Sequence, residues 1–164
     1  MKTPHTNKYR GFTLLEVMVA LLVLSIGLLG LAMLQATNLQ YNTDAYTRTQ
    51  ATLFAYDIID RMRANPTGTT NNLYKVLSNT DYDAKKAAYD ACIGSGCKCD
   101  ASSCDTTNLA TYDLGKWYEM HDKYLPGASK TRATVDRTAA NLVTVTIFWT
   151  EKDFDRSQKW VVQL

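Results

Sequence analysis

Proline and glycine are absent from residues 35–64, and with them the usual signals for a turn or a helix end. An unbroken helix is therefore expected to run through this stretch until Pro66, because the residue before a proline is pushed out of the helical region. Also missing are a nucleophile elbow, a phosphate-binding loop, an HExxH motif and closely spaced histidines. Without them the sequence predicts neither a catalytic site nor a cofactor.

Basic residues are not in excess either. The formal net charge of the 164 residues is +2, and Lys2, Lys8 and Arg10 all lie in a short polar segment at the N-terminus. The remainder therefore lacks the surplus of Lys and Arg that is typical of a nucleic-acid interface. We expect no nucleic acid among its partners.

A long apolar run follows that basic segment, and Glu16 is its one charged residue. Residues 12–34 would form a helix of roughly 35 Å at about 1.5 Å per residue, enough to cross a hydrocarbon core of about 30 Å. The preceding positive charges place the N-terminus in the cytoplasm and the rest of the chain outside. Residues 1–11 are thus expected to be a leader, residues 12–34 a membrane helix, residues 35–65 its continuation and residues 66–164 one exported head.

The boundary at Gly11 distinguishes this leader from an ordinary secretory signal. Such a signal is cut after its apolar stretch, whereas the plausible cut here lies before it. Glu16 then stays in the helix, where a carboxylate costs about 3 kcal/mol. It either reaches the lipid headgroups or pairs with a positive group. Cleavage after Gly11 would create such a group, the α-amine of Phe12 on a neighbouring helix.

The junction resembles the class III leader of type IV pilins and of type II secretion pseudopilins. The residues that carry the resemblance are Gly11-Phe12-Thr13-Leu14-Leu15-Glu16, followed by Val17-Met18-Val19-Ala20-Leu21-Leu22. The chain also resembles PilV-type minor pilins in shorter internal segments. These are Asp60-Arg61-Met62-Arg63-Ala64-Asn65-Pro66 and residues 104–117 with residues 125–127.

The resemblance implies that a prepilin peptidase cuts after Gly11 and methylates Phe12, and that Glu16 guides assembly. It also implies a structural protein that waits in the inner membrane with its head in the periplasm and then joins a type IV pilus at the cell surface. Its partners would be that peptidase and other minor and major pilins, contacted through the N-terminal helix. The expected role is that of a minor pilin that initiates or modifies the fibre, with no small-molecule substrate.

Other functions stay open. One is a minor pseudopilin of a type II secretion system, which shares the fold. Another is a pilus-borne adhesin or DNA-binding module, in which the cysteine-containing loop of the head makes the contact. A membrane-anchored enzyme is a more distant alternative, since it would need a catalytic constellation that the sequence does not display.

Four cysteines lie within thirteen residues: Cys92, Cys97, Cys99 and Cys104. An exported domain meets an oxidising compartment, so two local disulfides are expected. The spacing lacks the paired knuckles of zinc modules, and His121 is distant, which argues against a metal. A bond between Cys97 and Cys99 would close a strained loop. Two pairings remain, Cys92 with Cys97 plus Cys99 with Cys104, or the interlaced one, and the first is favoured.

The fold class expected is α+β, the type IV pilin fold. A long N-terminal helix packs on a small C-terminal antiparallel sheet, with a disulfide-containing region between them. The helix face that docks onto the head is predicted from apolar residues at spacings of three or seven. These are Leu39, Tyr46, Leu53, Tyr56 and Ile59.

Between the long helix and the sheet, residues 67–72 read as a loop, and Asp83 reads as the cap of a short helix over residues 84–91. Thr106 or Thr107 caps a further helix, which a Pro-Gly pair ends. Its apolar face is predicted to be core, with Trp117 a packing residue rather than part of a ligand cage and His121 a packed or surface residue. That face comprises Leu114, Trp117, Tyr118, His121, Tyr124 and Leu125.

Period-two alternation predicts strands near the C-terminus. Residues 142–149 form the central strand, covered on both faces, with residues 132–136 and 160–164 as its neighbours. Turns fall near residues 138–141 and 151–157. The result is an antiparallel meander of three or four strands against the long helix.

Two close carboxylate pairs, Asp81 with Asp83 and Asp153 with Asp155, could contribute to a calcium site. Calcium needs six or more oxygen ligands, and neither segment supplies a full set. Solvated carboxylates are the preferred interpretation of both pairs. The sequence therefore predicts no metal site.

Overall fold

The computed structural model describes residues 11–96, 99–100, 103–127, 133–139, 141–152 and 154–164. Its elements are α1 (Leu14–Ala64), α2 (Pro66–Thr70), α3 (Asn79–Gly94), α4 (Thr106–Tyr124), β1 (Thr134–Ala139), β2 (Leu142–Glu151) and β3 (Phe154–Gln163). The chain divides into two compact units, Met1–Thr43 and Asp44–Leu164. The second is termed the head unit below. A long N-terminal helix and a C-terminal antiparallel sheet confirm the α+β class.

α1 spans 51 residues, although residues 35–50 are rich in Thr and Asn, which are poor helix formers. Threonine hydroxyls in this stretch donate to the carbonyl oxygen four residues earlier, as Thr37 Oγ1 does to Met33 O at 3.0 Å. These bonds occupy hydroxyls that would otherwise compete for other backbone groups. The helix ends at Ala64, as the signal from Pro66 predicts.

The face of α1 that packs into the head unit differs from the predicted one. Tyr46, Leu53 and Tyr56 are at least 50% exposed, and of the predicted residues within the head unit only Ile59 is buried. Leu39, in the N-terminal unit, is exposed as well. The prediction favoured large side chains, whereas the real face mixes large side chains with small ones that allow close packing. Its buried residues are Thr47, Ala51, Phe54, Ala55, Ile58, Ile59 and Met62.

A short helix, α2, replaces the loop expected over residues 67–72. Pro66 takes its first position, where the missing N–H costs nothing because no helical bond would use it. Asn65 caps the helix, since its side-chain oxygen accepts the N–H of Gly68 at 3.1 Å. A proline that ends one helix therefore also starts the next.

Ser78, not Asp83, caps α3, which is longer than the helix expected there. Ser78 Oγ accepts the N–H of Asp81 at 3.2 Å, and the Asp81 carboxylate accepts the N–H groups of Leu77 and Ser78. This is a capping box with Asp in the place of Glu or Gln. The N–H of Leu77, with further help from Ser78, lowers the pKa of Asp81 because these bonds stabilise the charged carboxylate.

Asp105, rather than Thr106 or Thr107, caps α4. Its carboxylate accepts the N–H groups of Thr107 at 2.9 Å and Asn108 at 2.8 Å. α4 then packs tightly against α3 because Gly115 has no side chain: a Cβ at that position would lie 2.0 Å from Cγ of Tyr89. The predicted core face is buried except at one position. Its buried members are Leu114, Trp117, Tyr118, His121 and Leu125, whereas Tyr124 is 46% exposed.

The three strands form one antiparallel sheet in the order β1, β2, β3, which confirms the predicted meander. β3 begins at Phe154, so the preceding turn is shorter than expected. The predicted start of the first strand, Arg132, lies outside the described residues. Only one face of β2 enters the core, because the opposite face is partly exposed. The core face comprises Val143, Val145, Ile147 and Trp149.

The hydrophobic core of the head unit draws on α1, α4 and this inner face of the sheet. Trp117 is fully buried, and its indole N–H donates to Phe54 O at 2.8 Å. A buried indole needs such a partner for its polar edge. The hydrogen bond therefore fixes α4 against α1.

Candidate functional site

The N-terminal junction lies immediately ahead of α1. Gly11 and Phe12 are exposed, Phe12 by 83%, so the peptide bond between them joins two accessible residues. Thr13 O accepts the N–H of Glu16 at 3.1 Å and that of Val17 at 3.3 Å, which forms the first helical turn. Glu16 therefore lies at the positive end of the helix dipole. Of the expected leader, residues 1–11, all but Gly11 lie outside the described residues.

Every side chain of residues 14–34 is exposed. The most apolar 18-residue window of α1 has a mean hydropathy of 2.8 and no buried residue. Among the described residues, α1 is the one helix that is long and apolar enough to cross a membrane. Burial of one Leu or Val side chain is worth about 1.5–3 kcal/mol. This segment therefore requires a lipid or protein environment.

A buried polar network in the head unit joins the end of α1 to α4. Arg61 Nη1 donates to Asp113 Oδ1 at 3.1 Å, and Tyr74 Oη donates to Asp113 Oδ2 at 2.6 Å. Asn65 Nδ2 donates to Tyr74 Oη at 3.2 Å and to Thr106 O at 3.0 Å. Asp113 is only 6% exposed, yet both of its oxygens have partners. Residues 60–66 and residues 104–117 thus meet in this network.

Tyr74 remains a proton donor throughout the ordinary pH range. Burial, reinforced by its hydrogen bond to the Asp113 carboxylate, raises the pKa of the phenol well above its usual value. The Tyr74 proton therefore stays on the phenol and bridges to Asp113. The network is suited to holding the elements together rather than to proton transfer near neutral pH.

Glu151, at the end of β2, forms a second ionic contact with α1. Arg48 Nε and Nη2 donate to its two carboxylate oxygens at 3.0 and 3.1 Å, and Trp149 Nε1 donates at 2.9 Å. Arg156 Nε lies 3.3 Å from the same carboxylate. The hydrogen bonds from Arg48 lower the pKa of Glu151 to about 2. Burial opposes this shift, whereas the hydrogen bond from Trp149 and the charges of Arg48 and Arg156 reinforce it.

The head unit is expected to lose stability as the pH falls from about 4.5 to about 2. Glu151 has an ordinary pKa of 4.5 and a folded-state pKa of about 2. Its contribution is therefore complete above the unfolded value and is lost as the pH falls through the folded value. Because the Arg48 side chain is 59% exposed, we expect a loss of about 1–2 kcal/mol. Urea unfolding at several pH values, followed by tryptophan fluorescence, measures it.

Glu151→Gln should show much of this loss already at neutral pH and a flatter acid dependence. Glu119→Gln is the matched control, because Glu119 is half-exposed and lies 3.4 Å from Lys116 on the surface of α4. It should unfold like the wild type at every pH. An unchanged acid dependence in Glu151→Gln would contradict the assignment.

The cysteine-containing loop has a disulfide between Cys99 and Cys104, five residues apart in sequence. Cys92 is also disulfide-bonded, and it is buried at the end of α3. Cys97 lies outside the described residues. The Cys99–Cys104 bond belongs to the favoured pairing and excludes the interlaced one.

Replacement of both Cys99 and Cys104 by serine is expected to lower the free energy of unfolding by about 2 kcal/mol. The bond closes a short loop, and its loss frees the unfolded chain. Urea unfolding under non-reducing conditions measures the change. Ser103→Ala, an exposed position in the same loop, is the control and should be neutral. A double serine variant as stable as the wild type would refute a stabilising role.

The other candidate residues serve packing or lie on the surface. Trp117 and His121 are fully buried, and the His121 ring lies 6.3 Å from the Trp117 ring between centroids. Asp155 accepts the Thr150 hydroxyl at 3.3 Å, and Asp153 lies outside the described residues. Within the described part of the chain, no group of three or more His, Cys, Asp or Glu side chains is arranged to hold a metal ion.

An open cleft of about 420 Å³ lies beside α4. Among the residues that line it, Arg61 is engaged by Asp113 and Lys116 by Glu119. Lys123 lies over the Tyr124 ring at 5.2 Å. Because these cations already have partners, the cleft offers no free cluster of positive charge.

Sequence reasoning missed the two ionic contacts described above between α1 and the rest of the head unit. Arg61 and Asp113 are 52 residues apart, and Arg48 and Glu151 are 103 apart. Neither pair has a local signature. Two local features could have indicated these residues as buried ionic partners. Asp113 is a carboxylate within a helix rich in aromatic residues, and Glu151 is a carboxylate at the end of an apolar strand.

Comparison with known protein families gives two matches. The prokaryotic N-terminal methylation motif matches residues 6–32, and type IV pilin Tt1218 matches residues 33–115. The first match covers the junction and the exposed apolar segment as far as residue 32. The second covers about half of the chain, including the remainder of α1 and the polar network. No curated protein and no solved structure gives a significant match.

Proposed function

The chain belongs to the type IV pilin family, and from this premise we propose that it is a minor pilin that helps to initiate or modify a type IV pilus. Members of the family are structural proteins that associate with other pilins and are processed by prepilin peptidase. An N-terminal methylation motif combined with an apolar helix fits a membrane-anchored pilin that later enters the pilus. Family membership therefore gives the role of a structural pilin. That the chain acts as a minor pilin is our proposal.

The observation that carries the proposal is the exposed apolar helix with one carboxylate in its first turn. We infer that peptidase cleavage after Gly11 frees the α-amine of Phe12, which is then methylated. In the packed fibre Glu16 pairs with that amine on a neighbouring subunit, because a charge removed from water requires a partner. The leader, residues 1–11, is lost, and residues 12–34 serve first as membrane anchor and then as assembly helix.

The head, residues 66–164 with the preceding helix continuation over residues 35–65, is proposed to lie in the periplasm before assembly. The basic residues of the leader support this orientation through the positive-inside rule. In the fibre the same head reaches the cell surface. Its partners are other minor and major pilins.

Likeness to PilV-type minor pilins supports the minor role. It rests on the segment from Asp60 to Pro66 and on the run that includes Thr106 and Asp113. These two segments contact each other in the head unit. Arg61 binds Asp113, and the Asn65 amide donates to Thr106 O. We propose no catalytic activity, cofactor, small-molecule substrate or nucleic-acid ligand.

A deletion strain tests the proposal against its alternatives. We expect the number of pili per cell to fall, with recovery on complementation, while type II secretion is unchanged. Lost secretion with normal piliation would identify a pseudopilin instead. Normal pilus number with lost adhesion or DNA uptake would favour a surface binding module.

A further inference from the structure

β3 forms one edge of the sheet and is exposed along most of its length. It pairs with β2 in a regular antiparallel register from end to end. Trp160 and Val162 are partly buried, whereas its other residues are exposed. The edge of a sheet presents a row of backbone N–H and C=O groups that another strand can bind.

A hydrogen bond of β2 shows which backbone groups of β3 point away from the sheet. The N–H of Thr150 donates to Pro126 O at 2.9 Å, so it faces away from β3. Thr150 is the partner of Asp155, and this pair is therefore one that exchanges no hydrogen bonds. The N–H and C=O of Asp155 thus point outward, and the same direction recurs at every second residue. These five residues, termed the outward row below, are Asp155, Ser157, Lys159, Val161 and Gln163.

The two edges of the sheet differ in what covers them. At the β1 edge, Val135 exchanges two backbone hydrogen bonds with Val76, at 2.8 and 2.9 Å. At the β3 edge, no hydrogen bond from the described part of the chain reaches a backbone group of the outward row. All five residues of that row are exposed. β3 is therefore the edge that can accept a further strand.

A second copy of the chain does not suit this edge, because α1 runs along the sheet in the direction of β3. Arg48 binds Glu151, which pairs with the first residue of β3. Met62 and Val143 line one cleft near the other end of that strand. Antiparallel pairing of two β3 strands would therefore turn the two α1 helices in opposite directions. Copies that share one membrane or one fibre carry α1 with the same polarity.

Two charges of opposite sign lie on the outer face of β3, at Asp155 and Lys159. Arg156 lies on the other face, where its guanidinium is 3.3 Å from the Glu151 carboxylate. Lys152, in the preceding turn, also has a carboxylate partner. Opposite charges directly across two strands stabilise their pairing. A strand with a basic residue opposite Asp155 and an acidic residue opposite Lys159 therefore fits this edge.

We propose that the outward row binds an extended strand of a different pilin, which joins the sheet beside β3. Main-chain hydrogen bonds supply the affinity of such a contact, and side chains on alternate positions supply its specificity. The contact rests on the proposed function, because the fibre is what brings the heads of different pilins together. It would order this head relative to its neighbour.

Site-specific photocrosslinking in the native cell tests the contact. Ser157, Val161 and Gln163 of the full chain are replaced one at a time by p-benzoylphenylalanine, and crosslinked peptides are identified by mass spectrometry. We expect all three to mark one short segment of a different pilin. The marked sites should advance by about four and then two residues, because paired strands advance together. Ala87→p-benzoylphenylalanine, at an exposed position of α3, is the control and should not mark that segment.

A proline provides the second measurement. Ser157→Pro removes one outward N–H, and an edge strand tolerates proline where its N–H faces solvent. The crosslink yield from position 161 should fall about tenfold, equivalent to about 1.4 kcal/mol. Ser157→Ala keeps the N–H and should preserve the yield. Urea unfolding in detergent establishes that both variants fold, and if the proline variant does not, the order of the crosslinked sites decides the proposal.

Crosslinks from β3 to lipid, to a second copy or to scattered sites, or no crosslinks at all, would overturn the proposed contact. So would an undiminished yield in a folded Ser157→Pro variant. Leu21→p-benzoylphenylalanine, in the apolar helix, separates these failures from failure of the proposed function. If position 21 crosslinks to other pilins while β3 does not, the chain assembles but the strand contact is wrong. If neither crosslinks to a pilin, assembly itself is refuted.

Discussion

Asp113→Ala should lower the free energy of unfolding of the head unit by about 3 kcal/mol. The substitution removes the acceptor for Arg61 and Tyr74 together. Arg61 keeps its contact with Asp57 at 2.9 Å, which limits the loss, but the buried phenol loses its charged partner. The elements joined by the network would then rely on apolar packing and on the remaining hydrogen bonds, such as that from the Trp117 indole to Phe54 O.

Urea unfolding of the full-length protein in detergent measures this loss. All three tryptophans lie in the head unit, so their fluorescence reports on that unit. Asp60→Ala is the matched control: Asp60 also pairs with an arginine of α1, but its side chain is 69% exposed. That change should cost less than about 0.5 kcal/mol. Equal effects of the two alanines would show that the network contributes no more than a surface ion pair.

Glu16→Leu is expected to leave the protein in the membrane but to reduce its amount in sheared fibres at least 100-fold. Removal of the carboxylate favours membrane insertion by about 3 kcal/mol. In the fibre the same change leaves the α-amine of a neighbouring Phe12 without its partner. Loss of one member of a buried ion pair costs about 3–5 kcal/mol. This exceeds the free-energy change of about 2.7 kcal/mol that corresponds to a 100-fold change in amount.

Quantitative immunoblots of membranes and of sheared fibres measure the distribution. Glu16→Asp is the control, because it keeps a carboxylate one methylene shorter, and it should retain much of the fibre fraction. Mature length must be the same in all variants, so that a processing defect is not mistaken for an assembly defect. Wild-type amounts of Glu16→Leu in fibres would remove Glu16 from the assembly mechanism.

Local patterns predicted much of the fold. The absence of Pro and Gly from residues 35–64 predicted an uninterrupted helix, and Pro66 predicted where it ends. Alternation of side chains over residues 142–149 predicted the central strand of the meander. Errors arose where more than one local interpretation fitted. The face of α1 was misassigned because Tyr46 and Leu53 have helical spacing, yet the buried stripe depends on alanines whose packing only the folded head determines. The cap of α3 was predicted at Asp83, whereas Ser78 caps the helix together with Asp81, an acidic residue where Glu or Gln is usual.

The functional residues also fall into those that a local pattern predicts and those that only the folded chain brings together. Gly11, Phe12 and Glu16 lie within six residues of sequence, so the motif could be recognised without a structure. Pairing of Arg48 with Glu151 spans 103 residues, and nothing near either residue specifies the other. Such contacts follow from how α1 meets the sheet, which a pattern of single residues does not encode.

The mass of the mature protein, measured intact from membranes or sheared fibres of wild-type cells, tests the central claim most directly. We predict a chain that begins at Phe12 and carries one additional methyl group on its N-terminus, with residues 1–11 absent. Tandem fragmentation would locate the methyl group on Phe12. A chain with its original N-terminus, or one that has lost the entire apolar run, would contradict the account.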